Sequence, residues 1–526
     1  MRRTPSRSGW HLVLAVALTV ASTDASRAGD APPAEPVAAG TIVGQVRFQG
    51  EAPPTEPHHA HHDPSVCGEG GMVPDETLVV GGDGALANVV VVLQGVVDPE
   101  PARPAAGRPT LDQQACRFVP HVQSVDAGAT LAITSSDPVL HNVHAFLGKR
   151  TAFNLAIPVA GKSIDRRLDE PGILRIRCDS GHDWMSAYVA VVAHRFHATT
   201  GADGRFVLPP VPPGDYTLRA WHERLGAVEQ KVTVTAGAEA AISLTFKPAD
   251  DPTAPPQVTT EATDARVGEA LAATRTALQQ LDDRRRHDER DRLAREGRPL
   301  FEKLCATCHG RAGDGRGPSA RFTSTPPRDF TRGSYKFRTT PVGSPPTQDD
   351  LIRTISVGVR GTHMPAWRGT LRAADIATLA RYLTTLSDAF WTDGPPVETL
   401  VIPAEPPYDA ASVARGKALY GTMQCQTCHG PAGKADGPAA ALLKDDWGHP
   451  IRPANFARGA FKGGCCGAAV YRAISTGLGG TPMPSFGAAL SPAERWDLSH
   501  YVLSLGHRRP TVDYLFRDPI GRSTPP

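Results

Sequence analysis

Residues 305–320 read CATCHGRAGDGRGPSA and residues 425–440 read CQTCHGPAGKADGPAA, two stretches that align without a gap. A second pair, RTISVGVRGTHMPAW from 353 and RAISTGLGGTPMPSF from 472, keeps the same separation to within one residue. Repetition in register over this length means two homologous units in tandem. Each closes on an amphipathic helical pattern, AADIATLARYLTTL in one and PAERWDLSHYVLSL in the other. The C-terminal half therefore reads as two all-α units, 297–388 and 411–508, joined by a linker at 389–410, with a tail at 509–526.

The chemistry of the repeat lies in its Cys-x-x-Cys-His. Two thiols on one helical turn can form thioethers with both vinyl groups of a porphyrin, and the next residue, His309 or His429, then faces the iron. Cys305 and Cys308 serve the first unit, Cys425 and Cys428 the second. The rival readings are weak: zinc needs further paired ligands, and a thioredoxin-like motif needs a βαβ context. Met364 and Met483 stand in register, each between a Gly-Thr segment and a Pro, and are expected as the sixth iron ligands. His363 rivals Met364 in the first unit alone. Along nearly their whole length, 291–388 and 411–508 resemble class I-type cytochrome c domains. Met/His ligation fills both axial positions, which suits outer-sphere electron transfer.

The N-terminal half reads as β. Arg2, Arg3 and Arg7 precede an apolar run from Trp10 to Val20 and small residues up to Ala28, the pattern of a secretory signal peptide (1–28) and too short for a membrane span. A Pro/Ala linker follows at 29–40. Short β-branched runs such as TIVGQVRF, ANVVVVL, ATLAITSSD, GILRIRC and AYVAVVA then predict a sandwich over 41–196. A second β segment, 197–247, contains LPPVPPGDYTLRAW and resembles the carboxypeptidase-regulatory-like, or transthyretin-like, sandwich. GTIVGQVRF and ANVVVVL also resemble that family's first strands, so whether one sandwich interrupts the other stays open at this point. A linker at 248–260 leads to a charged connecting helix at 261–296. There Val267, Leu271, Thr274, Leu278 and Leu281 follow coiled-coil spacing for about two heptads, short of the three or four needed, so a helix packing on its own domain is the reading.

Within the β half, IRCDSGHDWM (176–185) places Cys178, His182 and Met185 on one stretch. A mononuclear copper site takes two imidazoles, one thiolate and a weak axial thioether. SSDPVLHNVHAF (135–146) offers the missing imidazole, and its HNV resembles the first-His strand of plastocyanin-like cupredoxins. The resemblance implies a Greek-key sandwich holding copper through His141, Cys178, His182 and Met185. His144, three residues on along a strand, should point to the other face. A binuclear copper site would need a second Cys at 174, where Leu174 stands. The plain alternative is a buried thiol beside a core His and Met.

Other features are read as structural. Cys67 and Cys116 are expected to form a disulfide in an oxidising compartment, and Cys465 and Cys466 receive no role. HHAHH (58–62) reads as a solvated, Pro-flanked loop, His121, His194 and His197 as structural, and WHE (221–223) as a surface turn. With 56 Lys and Arg against 54 Asp and Glu, nothing argues for nucleic acid. The expectation is a periplasmic electron carrier with two haem c groups and one copper ion, exchanging electrons with soluble or membrane-bound redox proteins. An enzyme, such as a multicopper nitrite reductase fed by the haems, would need a second copper, and His58, His59, His61, His62, His121 and His144 show no recognised spacing for it. A third reading is a dihaem protein with a metal-free docking domain.

Overall fold

The computed structural model describes residues 39–98, 107–248, 269–392, 397–464 and 466–506, and helix side chains from Asp282 onward. The expected signal peptide, most of its linker, all but Pro248 of the 248–260 linker, the C-terminal tail, Cys465 and the side chains of the Val267–Leu281 seam lie outside what is described. No helix among the described residues is long and apolar enough to cross a membrane.

Two β sandwiches make up the N-terminal half, and their boundary is not at 196. The strand Thr41–Phe48 pairs in parallel with Glu239–Phe246 along its full length, Thr41 opposite Glu239 and Phe48 opposite Phe246. Val90–Gln94 lies between His197–Thr199 and Gly214–His222. One sandwich is thus built from both ends of the β half, a three-stranded and a four-stranded sheet closing over Ile42, Val46, Leu86, Leu93, Leu218 and Leu244. The ranges 41–196 and 197–247 are corrected accordingly: the regulatory-like sandwich is interrupted, and the second sandwich is inserted between its strands. The physical cause is pairing between strands nearly 200 residues apart, which hydrophobic alternation alone does not encode.

The inserted sandwich packs a five-stranded sheet on a four-stranded one. In the larger sheet the order is Arg150–Ile157, His141–Leu147, Gly172–Arg177, Ser186–Val192 and Val122–Asp126, the last pair parallel. Its core includes Val143, Ala145, Ile176, Ala187 and Val189. The WHE segment is not a surface turn: Trp221 and His222 are buried, and Glu223 pairs with His121 across the junction of the two sandwiches.

The C-terminal half holds two helical units. In the first, Glu269–Leu304 runs unbroken through the expected boundary at 296, so the connecting helix and the unit's opening helix are one element. Its partner is Ala373–Thr384, crossed where Gly297 leaves no room for a Cβ against Tyr382. The second unit repeats the arrangement, Ala410–Thr422 crossing Pro492–Ser504 where Gly416 meets Asp497 and Tyr501. Capping boxes start Gln348–Val357 at Thr347 and Pro492–Ser504 at Ser491, each satisfying N–H groups that a helix start leaves open.

Candidate metal and haem centres

In the inserted sandwich, His141 opens its strand, Cys178 follows directly after Arg177, and Met185 precedes the strand that starts at Ser186. Strands Gly172–Arg177 and Ser186–Val192 are antiparallel neighbours, and the first also pairs with His141–Leu147. The turn between them, closed by Met185 N–H on the His182 carbonyl at 3.0 Å, therefore sits beside His141. The Cys178 Sγ lies 3.9 Å from Nδ1 of His141 and 3.9 Å from Nδ1 of His182. Both imidazoles are wholly buried, and Cys178 and Met185 nearly so.

A carboxylate orients each ring. The His141 Nε2–H donates to Asp137 Oδ2 at 2.9 Å, and the His182 Nε2–H donates to Asp63 Oδ2 at 3.2 Å. That bond fixes the tautomer, leaving both Nδ1 lone pairs turned toward the thiol, as metal-ligating histidines require. Asp137 also accepts from the backbone N–H groups of Ala115 and Cys116. Asn142 ties the two ligand segments together: its Oδ1 accepts from the Asp179 N–H at 2.6 Å and the Ser180 hydroxyl at 3.0 Å, and lies 3.4 Å from the Cys178 thiol. Cys67 and Cys116 are disulfide-bonded, which fastens the segment carrying Asp63 to the one held by Asp137. His144 is turned away, its Nδ1–H donating to Asp179 at 2.6 Å and its Nε2 bonded to the Thr151 hydroxyl. Trp184 packs edge-on to His182, ring centroids 5.4 Å apart, and donates to the Cys116 carbonyl.

HHAHH departs from its expected solvated state. His62 is only 9% exposed and lies on His182, ring centroids 5.2 Å apart. The residues that sequence reasoning missed are thus Asp63, Asp137, Asn142 and His62. Only Asp137, four residues before His141, and Asn142, beside it, carried a local signal.

In the helical units, each expected proximal histidine is held the same way. The His309 Nδ1–H donates to the Arg328 carbonyl and the His429 Nδ1–H to the Ala454 carbonyl, both at 3.0 Å. Phe330 stacks on His309 at 4.5 Å and Phe456 on His429 at 4.3 Å. Burial pulls His429 down to about 4, keeping its Nε2 unprotonated for a metal. Burial pushes the Cys305 thiol up to about 11 and Cys425 up to about 12. A redox-active Cys-x-x-Cys requires the opposite shift. Met364 and Met483 sit in matching turns, the Met N–H bonded to the hydroxyl of Thr362 or Thr481 two residues back. Cys305, Cys308, His309, Phe330 and Met364 line one cleft that opens to solvent, and none of its lining residues is acidic. A planar, largely apolar porphyrin fits that lining. The exposed His363 reaches the same cleft.

Residues 413–506 match the family "Cytochrome c", and residues 292–383 match "Cytochrome C oxidase, cbb3-type, subunit III". The two helical units are cytochrome c domains. These cytochrome domains, which imply haem c and haem-based electron transfer, account for the paired Cys-x-x-Cys-His sites. Residues 175–247 match "Carboxypeptidase regulatory-like domain", a match that reaches back across the Cys178 turn into the inserted sandwich. Among curated proteins, the cbb3-type cytochrome c oxidase subunit FixP of Azorhizobium caulinodans is 27% identical over 245 residues, 45% of this chain and 68% of that protein. Among solved structures, a chain of the reducing HAO-like protein complex of Kuenenia stuttgartiensis is 43% identical, with 40% of this chain and 96% of that chain covered, at a TM-score of 0.39. An amicyanin mutant in its Cu(I) form is 18% identical, over 19% of this chain and 98% of that one, at a TM-score of 0.15. The chain thus joins a regulatory-like sandwich, the sandwich inserted into it and two cytochrome domains.

The second cytochrome domain is docked directly on the inserted sandwich. Gln424, next to Cys425, accepts from the N–H of Leu140, next to His141, at 3.0 Å and donates to the carbonyls of Pro138 and Pro158. Ser485, two residues after Met483, exchanges backbone bonds with Asn154 and Ala156. The Cys428 thiol is pushed up to about 12 by burial first, then by the nearby Cys178 and Asp179.

Proposed function

We propose that the chain is a periplasmic electron carrier with three one-electron centres: copper held by His141, Cys178, His182 and Met185, and two haem c groups. The haems are attached through Cys305 and Cys308 and through Cys425 and Cys428, with His309/Met364 and His429/Met483 as axial ligands. The observation that carries the copper reading is the Cys178 thiol equidistant from two buried imidazole nitrogens, each ring oriented by its own carboxylate. One thiolate and two imidazoles beside a buried thioether residue match a mononuclear electron-transfer copper.

Haem supplies a one-electron iron couple when bound. The chain's part is to orient buried histidines through the Arg328 and Ala454 carbonyls, fix each Met turn through its Thr hydroxyl, and exclude water with Phe330 and Phe456. The contact from His141 through Leu140 and Gln424 to Cys425 supports transfer between copper and the second haem. The partners are redox proteins, soluble or membrane-bound, and the likeness to oxidase subunits supports a terminal oxidase or reductase among them.

The test is metal analysis and visible spectroscopy of holoprotein matured in a haem-c-competent periplasm, beside Cys178→Ser. Two haems, one copper and a thiolate-to-copper band lost in the variant are expected. Two haems with no copper in the parent protein would leave a dihaem cytochrome with a docking domain, and two tightly held coppers would favour a reductase.

A further inference from the structure

We propose that His61, His62 and Asp63 form an outer copper site through which the ion passes to the Cys178 centre. This rests on the copper reading above. The histidines of the 58–62 run grade from surface to interior: the His61 side chain is 45% exposed, His62 lies buried beneath it, and His182 and His141 behind are wholly buried. Ring centroids step from His62 to His182 at 5.2 Å and from His182 to His141 at 4.6 Å.

Orientation of His182 accounts for Asp63, but it does not account for His62. The His62 Nε2 is buried and makes no hydrogen bond, a cost that proteins seldom carry without a use for the atom. It lies 3.5 Å from Asp63 Oδ2, and one ligand atom each from His62, Asp63 and His182 fall within 4.8 Å of one another. At the rim, the His61 Nε2 is 3.5 Å from Asp183 Oδ1. Gly181 leaves the gap into which His62 fits, since a Cβ there would stand 2.6 Å from the His62 ring.

Imidazole and carboxylate ligands without a thiolate bind a copper ion more loosely than the inner set, so the ion moves inward. His182 serves both sites, with Nε2 facing the outer one and Nδ1 the inner. On transfer, bonds to His62 Nε2, Asp63 Oδ2 and His182 Nε2 break while bonds to Cys178 Sγ, His141 Nδ1 and His182 Nδ1 form. The thiol proton would leave to water, the metal's oxidation state would be unchanged, and the single His182 proton, held on Nδ1 while the outer site is filled, would be exchanged through water to Nε2, which again donates it to Asp63.

The experiment mixes Cu(II) with copper-free, full-length dihaem protein and follows the thiolate-to-copper band. His62→Ala is expected to load at least tenfold more slowly than the parent yet reach the same final spectrum with one copper per chain. His59→Ala, exposed and outside the cluster, should load at the parent rate. In a Cys178→Ser background, one Cu(II) with nitrogen couplings should appear by electron paramagnetic resonance, and adding His62→Ala should abolish it. Equal loading rates in His62→Ala and parent overturn the proposal, as does equal Cu(II) binding by Cys178→Ser with and without His62. A parent protein that never develops the band fails the copper reading itself, a result separable from both.

Discussion

At the scale of single residues, the proposed Cys178 copper centre depends on groups outside its own ligand set. Asp137 and Asp63 each fix one imidazole, so Asp137→Asn or Asp63→Asn should weaken copper roughly 10–100-fold in chelator competition while leaving haem content unchanged. Asn142 holds both ligand segments with one side chain. Asn142→Ala leaves the Asp179 N–H and Ser180 hydroxyl without that acceptor and should cost about 2 kcal/mol in denaturant unfolding. The cluster itself was legible because Cys178, His182 and Met185 crowd a single turn. Their supports were not, because Asp63 reaches His182 from 119 residues away.

At the scale of elements, the order of the haem units was readable, whereas in the β half the strands were readable and their pairing was not. A repeat can be aligned on itself, so corresponding helices, histidines and Met turns declare one another. A β-branched run says only that it is a strand, and Thr41–Phe48 finds its partner at the other end of the β half. The Met turns follow helices ended by glycines in the left-handed region, Gly477 at φ 65°. A Cβ there would meet Pro484 and Ser485 at 2.8 Å, so Gly477→Ala should displace Met483 and lower the potential of the second haem, measured by redox titration. The junction of the sandwiches has a pH signature. Burial lowers the pKa of His121, but its bond to Glu223 outweighs this and leaves it raised. The pair's full contribution is therefore present below the unfolded value near 6.5 and fades as pH rises through the folded one. The stability lost in Glu223→Gln should be larger at pH 6 than at pH 9, by paired thermal melts.

At the scale of the whole molecule, the second cytochrome domain is the centre of the assembly. Phe330 follows His309 by 21 residues, whereas Phe456 follows His429 by 27, and the extra residues carry Asp446 and Trp447. The buried Asp446 carboxylate bonds Arg177 and Thr151 of the inserted sandwich, while Trp447 bonds Asp329 and lies under Arg328 of the first cytochrome domain. Asp446→Ala removes the carboxylate that Arg177 and Thr151 share at this contact and should loosen the docking, seen as expansion in small-angle scattering, with haem spectra preserved. Gln424→Ala should leave that envelope unchanged and slow electron exchange between copper and the second haem after flash reduction. The interrupted sandwich also sets an order in time. With synthesis at roughly 5–20 residues per second, the strand at Thr41–Phe48 is made about 10–40 s before the strand that completes it. The inserted sandwich, whose sheets draw on strands between 110 and 192, is complete in sequence before its host can close. The guest is finished before the house, and a nascent chain halted near residue 200 would carry every expected copper ligand beside an orphaned first strand.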